Sequence, residues 1–257
     1  MWDWISCLSV SNAQGRPLAL VTVTSCTGST PREIGAKMIV YSDSQFEGTI
    51  GGGHLEELAI QDAVACLVEG KSKTFRYPLG AKTGQCCGGI MEILIEALNC
   101  GPVLYVFGAG HVGQAVSRIL MGTPFRVHVI DEREEWIRQL PGGVVPHVEE
   151  WDDFIQEAVW DKQKTFVVIM THRHDLDQDI LQRLLEFPMR YLGLIGSSSK
   201  WERFQQRLTA RGVEQSSLDR VKCPIGWDTG GKAPQEVAIS LAAELLAIHY
   251  GKNSLSA

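Results

Sequence analysis

The most constraining stretch of this chain lies near its middle. The apolar run Val103–Phe107 is followed at once by Gly108-Ala109-Gly110-His111-Val112-Gly113, and then by Ala115, Val116, Ile119 and Leu120, which continue from Val112 at helical spacing. A strand, a glycine turn and an amphipathic helix in direct succession match the dinucleotide fingerprint in its required context. Gly108 permits the tight turn, Gly110 lets backbone amides approach a pyrophosphate, and Gly113 lets helix and strand pack closely, while the helix start supplies positive potential. Val127–Ile130 is apolar again, which closes a unit the size of a right-handed parallel crossover. Asp131 stands at the end of that second strand. A carboxylate there accepts hydrogen bonds from ribose hydroxyls and repels a 2′-phosphate, so the dinucleotide expected on this turn is NAD.

The rest of the second half repeats the alternation. Strands are expected at Phe166–Met170 and Tyr191–Ile195, with helices at Trp151–Val159, Ile180–Phe187, Lys200–Arg211 and Gln235–His249. Alternation of this kind specifies a parallel sheet covered on both faces. The first half reads differently: short strands at Leu18–Val23, Met38–Tyr41 and Ile90–Ile95 surround a helical stripe from Leu55 that ends at Gly70. Cys100-Gly-Pro102 interrupts both patterns, so the expected architecture is α/β, with a smaller N-terminal mixed α/β domain over residues 1–100 and a C-terminal Rossmann-like parallel sheet over 101–257. With 44% apolar and 21% charged residues the chain lies outside the regime of disordered sequences. Its net charge of −6 opposes a phosphate backbone, so nucleic acid is not an expected partner. The first residues lack the cationic start and apolar run of a secretory signal, and no apolar stretch is long enough to span a bilayer. A cytoplasmic location with no membrane partner is expected.

Two further glycine-rich segments carry chemistry. Gly48-Thr-Ile-Gly51-Gly52-Gly53-His54-Leu55-Glu56 is a second strand–loop–helix junction, whose glycines either expose amides for an anion or allow a sharp turn capped by His54 and Glu56. Arg32 and Lys37, on the preceding loop, could add cations. Gly84-Gln85-Cys86-Cys87-Gly88-Gly89 sets two thiols in an accessible loop. A thiolate is the form that ligates soft metals and carries sulfur, which favours a chemical role for Cys87. Of the remaining cysteines, Cys7, Cys26, Cys66 and Cys100 read as small buried apolar residues, while Cys223, at the start of another loop, is left open. Seven irregularly spaced cysteines without a Cys-x-x-Cys pair argue against a disulfide framework or a zinc ribbon.

Other signals are weaker in register. Thr171-His172-Arg-His174-Asp175-Leu-Asp177 opens like a metal box, but Leu176 stands where the metallo-β-lactamase pattern needs aspartate, and the acidic residues also suit the first turn of a helix. Placed at the carboxyl end of a parallel strand, His172 or His174 could contact a ligand. Gly226…Gly231-Lys232 follows a Walker A pattern, yet Ala233 replaces the hydroxyl that ligates magnesium. In the terminal helix Glu244 shares a face with Val237, Leu241 and Ile248, either as a site-facing group or as the edge of the stripe.

Taken in order, Gly28-Ser-Thr-Pro-Arg32…Lys37, Gly48…Gly53-His54-Leu55-Glu56, Cys87-Gly88-Gly89, Gly108-Ala-Gly110-His-Val-Gly113, Thr171-His172-Arg-His174-Asp175 and Pro224-Ile-Gly226 resemble the XdhC/CoxI family of xanthine dehydrogenase accessory proteins. The resemblance runs over essentially the whole chain and departs from the family pattern at Trp227–Pro234. It implies a chaperone, itself not a turnover enzyme, that binds molybdenum cofactor (molybdopterin), supports its sulfuration by a cysteine desulfurase, and hands it to a xanthine dehydrogenase-type apoenzyme. A homodimer is the expected assembly. The residues and the resemblance together give the expected cofactor-binding set, for molybdopterin or NAD, as Cys87, Cys86, Arg32, Lys37, Gly51, Gly52, Gly53, His54, Glu56, Gly108, Gly110, His111, Gly113, Asp131, His172 and His174, and on the resemblance Cys87 is the contact to molybdenum. A glycine-rich anion cradle beside a soft thiol suits a phosphate-bearing dithiolene ligand. The rival expectation is an NAD-dependent oxidoreductase built on the Rossmann half, although no tyrosine in the chain has lysine four residues later.

Overall fold

The computed structural model describes residues 3–80 and 88–252, and the chain divides into two compact units, Met1–Gly101 and Pro102–Ala257. In the first unit, α1 (Trp4–Ala13) leads into β1 (Leu18–Thr27), β2 (Lys37–Tyr41) and β3 (Phe46–Gly48). Then follow α2 (Gly53–Glu69), β4 (Lys73–Pro78) and β5 (Ile90–Leu98). The strands form one antiparallel sheet in the order β3-β2-β1-β5-β4. Alternation along β1 divides its side chains between two cores. Ala19, Val21 and Val23 meet Leu55, Ala59 and Ala63 of α2, while Leu18 and Leu20 join Ile39 and Tyr41 against Trp4 and Leu8 of α1. Because both faces are covered, β1 reads as a continuous apolar run. Helix α2 stops at Gly70, whose left-handed conformation lets its amide bond back to the last turn.

The second unit is a doubly wound sheet. Its elements are β6 (Val103–Phe107), α3 (His111–Ile119), β7 (Arg126–Ile130), α4 (Glu134–Ile137), β8 (Val145–His147), α5 (Trp151–Glu157) and β9 (Thr165–Ile169). They continue through α6 (His174–Leu184), β10 (Tyr191–Leu194), α7 (Ser198–Ala210), α8 (Gln215–Leu218), β11 (Val221–Lys222) and α9 (Pro234–His249). All strand pairs are parallel, in the order β11-β10-β9-β6-β7-β8. The chain leaves β6 toward β7 and β8, then returns to lay β9 on the other side of β6. That reversal opens a crevice at the carboxyl ends of β6 and β9, where sheets of this kind bind ligands. Leu104 and Val106 pack under α3 and α9, whereas Tyr105 and Phe107 face Phe154 of α5 and Leu181 of α6. The expected α/β class, with a parallel C-terminal sheet, is what the chain forms. Helix α6 begins six residues before the expected Ile180, because Asp175 and Asp177 supply an acidic first turn. Among the described residues no helix is long and apolar enough to cross a membrane.

Candidate functional site

Three sequence-distant glycine segments converge in the N-terminal unit. Ser29 bridges to Gly88, and a side chain on Gly89 would overlap the carbonyl oxygens of Ser29 and Thr27. Gly51 lies directly against Pro31, where a Cβ would overlap the proline ring. The glycines are therefore required for close approach of the loops. The anion cradle expected of Gly51–Gly53 is already filled from within. Glu56 Oε1 accepts hydrogen bonds from the amides of Ile50 at 2.9 Å, Gly51 at 3.1 Å and Gly52 at 2.8 Å, and from the Thr49 hydroxyl. Burial pushes the Glu56 carboxyl up, but the bonds from Thr49 and the three amides outweigh it and hold the group below its ordinary value. Glu56 is thus the anion of this nest, and its amides do not point at an external one.

The cations expected beside that nest are divided. Arg32 is exposed on the loop that packs against Gly51. Lys37 instead turns to the other face of the sheet, donating to Thr22 Oγ1 at 3.0 Å and lying 5.1 Å from the centre of the Trp4 ring. The alternation of β2 explains this, since Lys37 shares parity with Ile39 and Tyr41 on the α1 side. His54 is exposed and pairs with Glu57 at 3.0 Å. Cys86 and Cys87 lie outside the described residues, immediately before the Gly88–Gly89 segment that docks on Ser29.

In the second unit the turn after β6 requires glycine at two of its three glycine positions. Gly108 has φ of +118°, and a Cβ on it would overlap the Met170 carbonyl at the end of β9. A Cβ on Gly113 would overlap the Gly108 carbonyl, while around Gly110 nothing lies within 4 Å. Gly110 therefore faces open space at the start of α3, with His111 exposed beside it and its ring 5.2 Å from Trp136.

Asp131 departs from its expected role as a free ribose acceptor. Its Oδ2 accepts from the Ala109 amide at 2.8 Å and from Arg133 Nη2 at 2.7 Å. Its Oδ1 accepts from the Arg133 amide at 3.1 Å and Arg133 Nε at 2.8 Å. A carboxylate offers about four acceptor positions, and all are filled. Burial raises this carboxyl, but the bonds from Arg133 and Ala109 prevail and keep it ionised. Binding of NAD in the usual way would first require Arg133 to leave.

Next to this turn, a small, partly open cleft lies at the carboxyl ends of β6, β7 and β9. Phe107, Ile130, Leu176, Ile180 and Trp151 give it apolar walls; Glu132, Glu149, Asp131 and His172 supply its polar groups. Further along the same edge, Asp177 is fully buried. It accepts from the Thr171 amide at 3.0 Å, the Thr171 hydroxyl at 2.7 Å and Lys200 Nζ at 2.7 Å. Lys200 also donates to the Ile195 carbonyl at 2.9 Å, so one ion pair ties the loops after β9 and β10 together. The metal-box residues are accounted for by this arrangement: Asp177 is committed to the loop, Asp175 pairs with Arg173 at 2.6 Å, and the His174 side chain is 82% exposed. Burial pushes the Cys223 thiol up to about 11, against the opposing effect of Lys200, so the free thiol is protonated at neutral pH. Glu244, left open by its helical position, is buried and accepts from the Tyr191 hydroxyl and the Gly226 amide, each at 2.7 Å. It closes the loop after β11. The sequence reading missed the stacked pair His128–His147, whose residues sit on neighbouring strands β7 and β8 and join Glu149 at the cleft. The sequence offered little signal: His128 falls in the expected strand Val127–Ile130, but no strand was expected at Val145–His147, and only the spacing of His147 two residues before Glu149 was visible.

Comparison with known proteins follows the division into units. The family described as the XdhC Rossmann domain matches residues 104–245, and the XdhC and CoxI family matches residues 11–78. Uncharacterized protein YqeB of Escherichia coli K12 is 33% identical over 242 residues, covering 91% of this chain and 44% of that protein. Molybdenum cofactor insertion chaperone PaoD of the same organism is 22% identical over 91% of this chain and 84% of its own length. A protein of Bacillus subtilis described as a probable xanthine dehydrogenase subunit is 25% identical over 60% of this chain and 45% of that protein. The chain thus spans less than half the length of the first and third of these relatives. A solved structure described as a xanthine dehydrogenase from Bacillus halodurans aligns with a TM-score of 0.52 at 20% identity, covering 100% of this chain and 98% of that one, and so shares its fold.

Proposed function

This chain belongs to the XdhC/CoxI family, and from that premise we propose that it binds molybdenum cofactor as cargo and delivers it to a xanthine dehydrogenase-type apoenzyme. The observation that carries the reading is the similarity to a molybdenum cofactor insertion chaperone along nearly the whole of both chains. In this reading the chain supports sulfuration of the cofactor together with a cysteine desulfurase, acts in the cytoplasm as a homodimer, and performs no turnover of its own. Cys87 is the contact to molybdenum, with Cys86 as its neighbour. Its support is chemical: a thiolate next to glycines is a soft, accessible ligand, and the Gly88–Gly89 pair that follows in sequence docks on the Ser29 loop. Arg32 and His54 are exposed on the converging loops of that unit, and Gly110 with His111 offers an open helix start in the other.

Oxidoreductase chemistry with NAD is disfavoured by Asp131, whose acceptor positions are filled by Arg133 and Ala109. The deciding experiment is co-expression in a host that makes molybdenum cofactor, anaerobic purification, and measurement of bound molybdenum, pterin and NAD after denaturation. Stoichiometric pterin and molybdenum, lost in Cys87→Ser with the fold intact, are expected. Bound NAD without pterin would overturn the proposal.

A further inference from the structure

Glu149 is a carboxylate at the cleft whose orientation is fixed from behind. His147 Nδ1 lies 3.0 Å from Glu149 Oε1, and His128 Nδ1 lies 3.0 Å from His147 Nε2. A carboxylate only accepts, so His147 donates from Nδ1 to Glu149 whatever the charge on its ring. With both rings neutral, Nε2 of His147 is bare, and the shared hydrogen sits on His128 Nδ1. Packing holds the chain in place: the two imidazoles stack at 5.2 Å, Tyr105 meets His128 edge-on, and Phe154 meets His147 in the same way. Burial keeps His128 neutral, with its pKa lowered to about 3. Glu149 Oε1 is thereby occupied, and among the described residues Oε2 accepts no hydrogen bond.

The cleft in front of Glu149 excludes one class of ligand and selects another. Glu132 and Glu149 contribute negative charge, Asp131 is neutralised by Arg133, and among the described residues no lysine or arginine lines the cavity. A phosphate is therefore repelled, whereas N–H donors are favoured. The walls of Phe107, Ile130, Leu176, Ile180 and Trp151 suit a flat apolar body.

We infer that this cleft binds the amino edge of a planar aza-heterocycle, and that Glu149, positioned by His147, is the residue that selects an exocyclic amino group over a carbonyl. The inference deepens the cofactor-binding reading and rests on it for the source of the heterocycle. That source is either the aminopyrimidine edge of the pterin or the base of a nucleotide appended to it.

The test uses isothermal titration of the full chain with two matched pairs, pterin against lumazine and adenosine 5′-monophosphate against inosine 5′-monophosphate. In each pair an amino group is replaced by a carbonyl. A charge-assisted hydrogen bond predicts a preference of about tenfold or more for the amino member. In Glu149→Gln the amide oxygen must take the bond from His147, which turns the NH₂ group toward the ligand, so the preference is expected to collapse or invert. His147→Phe keeps the ring packing but frees the carboxylate, and should reduce the preference without abolishing binding. Thermal unfolding of each variant shows that the fold persists. A preference confined to the pterin pair assigns the cleft to the pterin, and one confined to the nucleotide pair assigns it to an appended base. Equal affinity within both pairs, no measurable binding of any of the four, or an unchanged preference in Glu149→Gln overturns the inference. Cofactor retention is read separately: if the wild-type chain and Glu149→Gln retain molybdopterin equally, the inference fails while the chaperone reading stands. If neither retains it, the titrations still decide what the cleft selects.

Discussion

Replacing Lys200 by methionine is expected to destabilise the C-terminal unit severely. Asp177 has no exposed surface, and its carboxylate shares Lys200 Nζ with the Ile195 carbonyl. Lys200→Met keeps most of the side-chain volume but, among the described residues, strands a buried anion with only the Thr171 amide and hydroxyl as donors. Removing one partner of a buried ion pair costs about 3–5 kcal/mol, and the two surviving bonds place this case near about 3 kcal/mol. For a unit of this size that is a fall of about 6–12 °C in Tm. Urea unfolding followed by tryptophan fluorescence suits the measurement, because Trp136, Trp151, Trp160, Trp201 and Trp227 all lie in the C-terminal unit. The double variant Asp177→Leu/Lys200→Met removes both charges and should recover at least half of the loss. A loss below about 1 kcal/mol in the single variant, or no recovery in the double, would refute the claim that this pair holds the loops after β9 and β10.

Gly113→Ala places a methyl on the Gly108 carbonyl and should prevent the Rossmann turn from closing, whereas Gly110→Ala points into open space. The latter should change stability by about 1 kcal/mol or less while lowering cofactor retention, as compared by melting curves and bound pterin. Glu56→Gln removes the charged acceptor of three amides and should cost about 1–2 kcal/mol at neutral pH. Since the Glu56 carboxyl is held below its unfolded value of 4.5, its contribution is present above that pH and disappears as pH falls through the folded value. The variant should lack this part of the acid limb in denaturant titrations at several pH values. His128 behaves oppositely to a histidine that gains a partner: between about 3 in the folded chain and 6.5 unfolded, only the unfolded state binds the proton. Stability should therefore fall by about 1.4 kcal/mol per unit on acidification through that window. His128→Gln should flatten the slope, giving about 2 kcal/mol less loss than wild type between pH 7 and pH 5.

The parallel half was legible because strands buried on both faces read as unbroken apolar runs, and Val103–Phe107 is one of these. Strands at sheet edges were not legible: Lys73–Pro78 is mostly exposed and polar, and β11 has only two residues. Helix α1 escaped because its apolar residues follow no helical period, although Asp3 caps it through the amides of Ile5 and Ser6. At the candidate site the glycine positions could be read from spacing, since turns and close approaches demand them. What occupies each acceptor could not. Asp131 stands where a ribose acceptor belongs, but Arg133 two residues later closes it, and no periodicity separates the open case from the closed one. The chain His128–His147–Glu149 depends on two strands lying side by side, a contact that emerges only once the sheet is assembled.

The two glycine turns, alike in sequence, differ at one position that decides which can receive an anion. In α2 the residue four places after the N-cap Gly52 is Glu56, and its carboxylate takes the amides of the turn. In α3 the residue four places after the N-cap Gly110 is Gln114. Gln114 is buried, its Oε1 faces Arg118, and its Nε2 has no partner among the described residues. At the start of α3 the Ala109 amide is taken by Asp131, but among the described residues no carboxylate from the helix itself folds back on the turn as Glu56 does, and the helix dipole there suits the anionic part of a cargo molecule. Gln114→Glu would bring to α3 the acid that closes α2. If the phosphate of the cofactor rests on this turn, that variant should lose cofactor by about tenfold or more, the cost of one displaced charge-assisted interaction, while Gln114→Met should keep it. Equal retention in both variants would mean that the anion is held elsewhere and that the open turn serves only the fold.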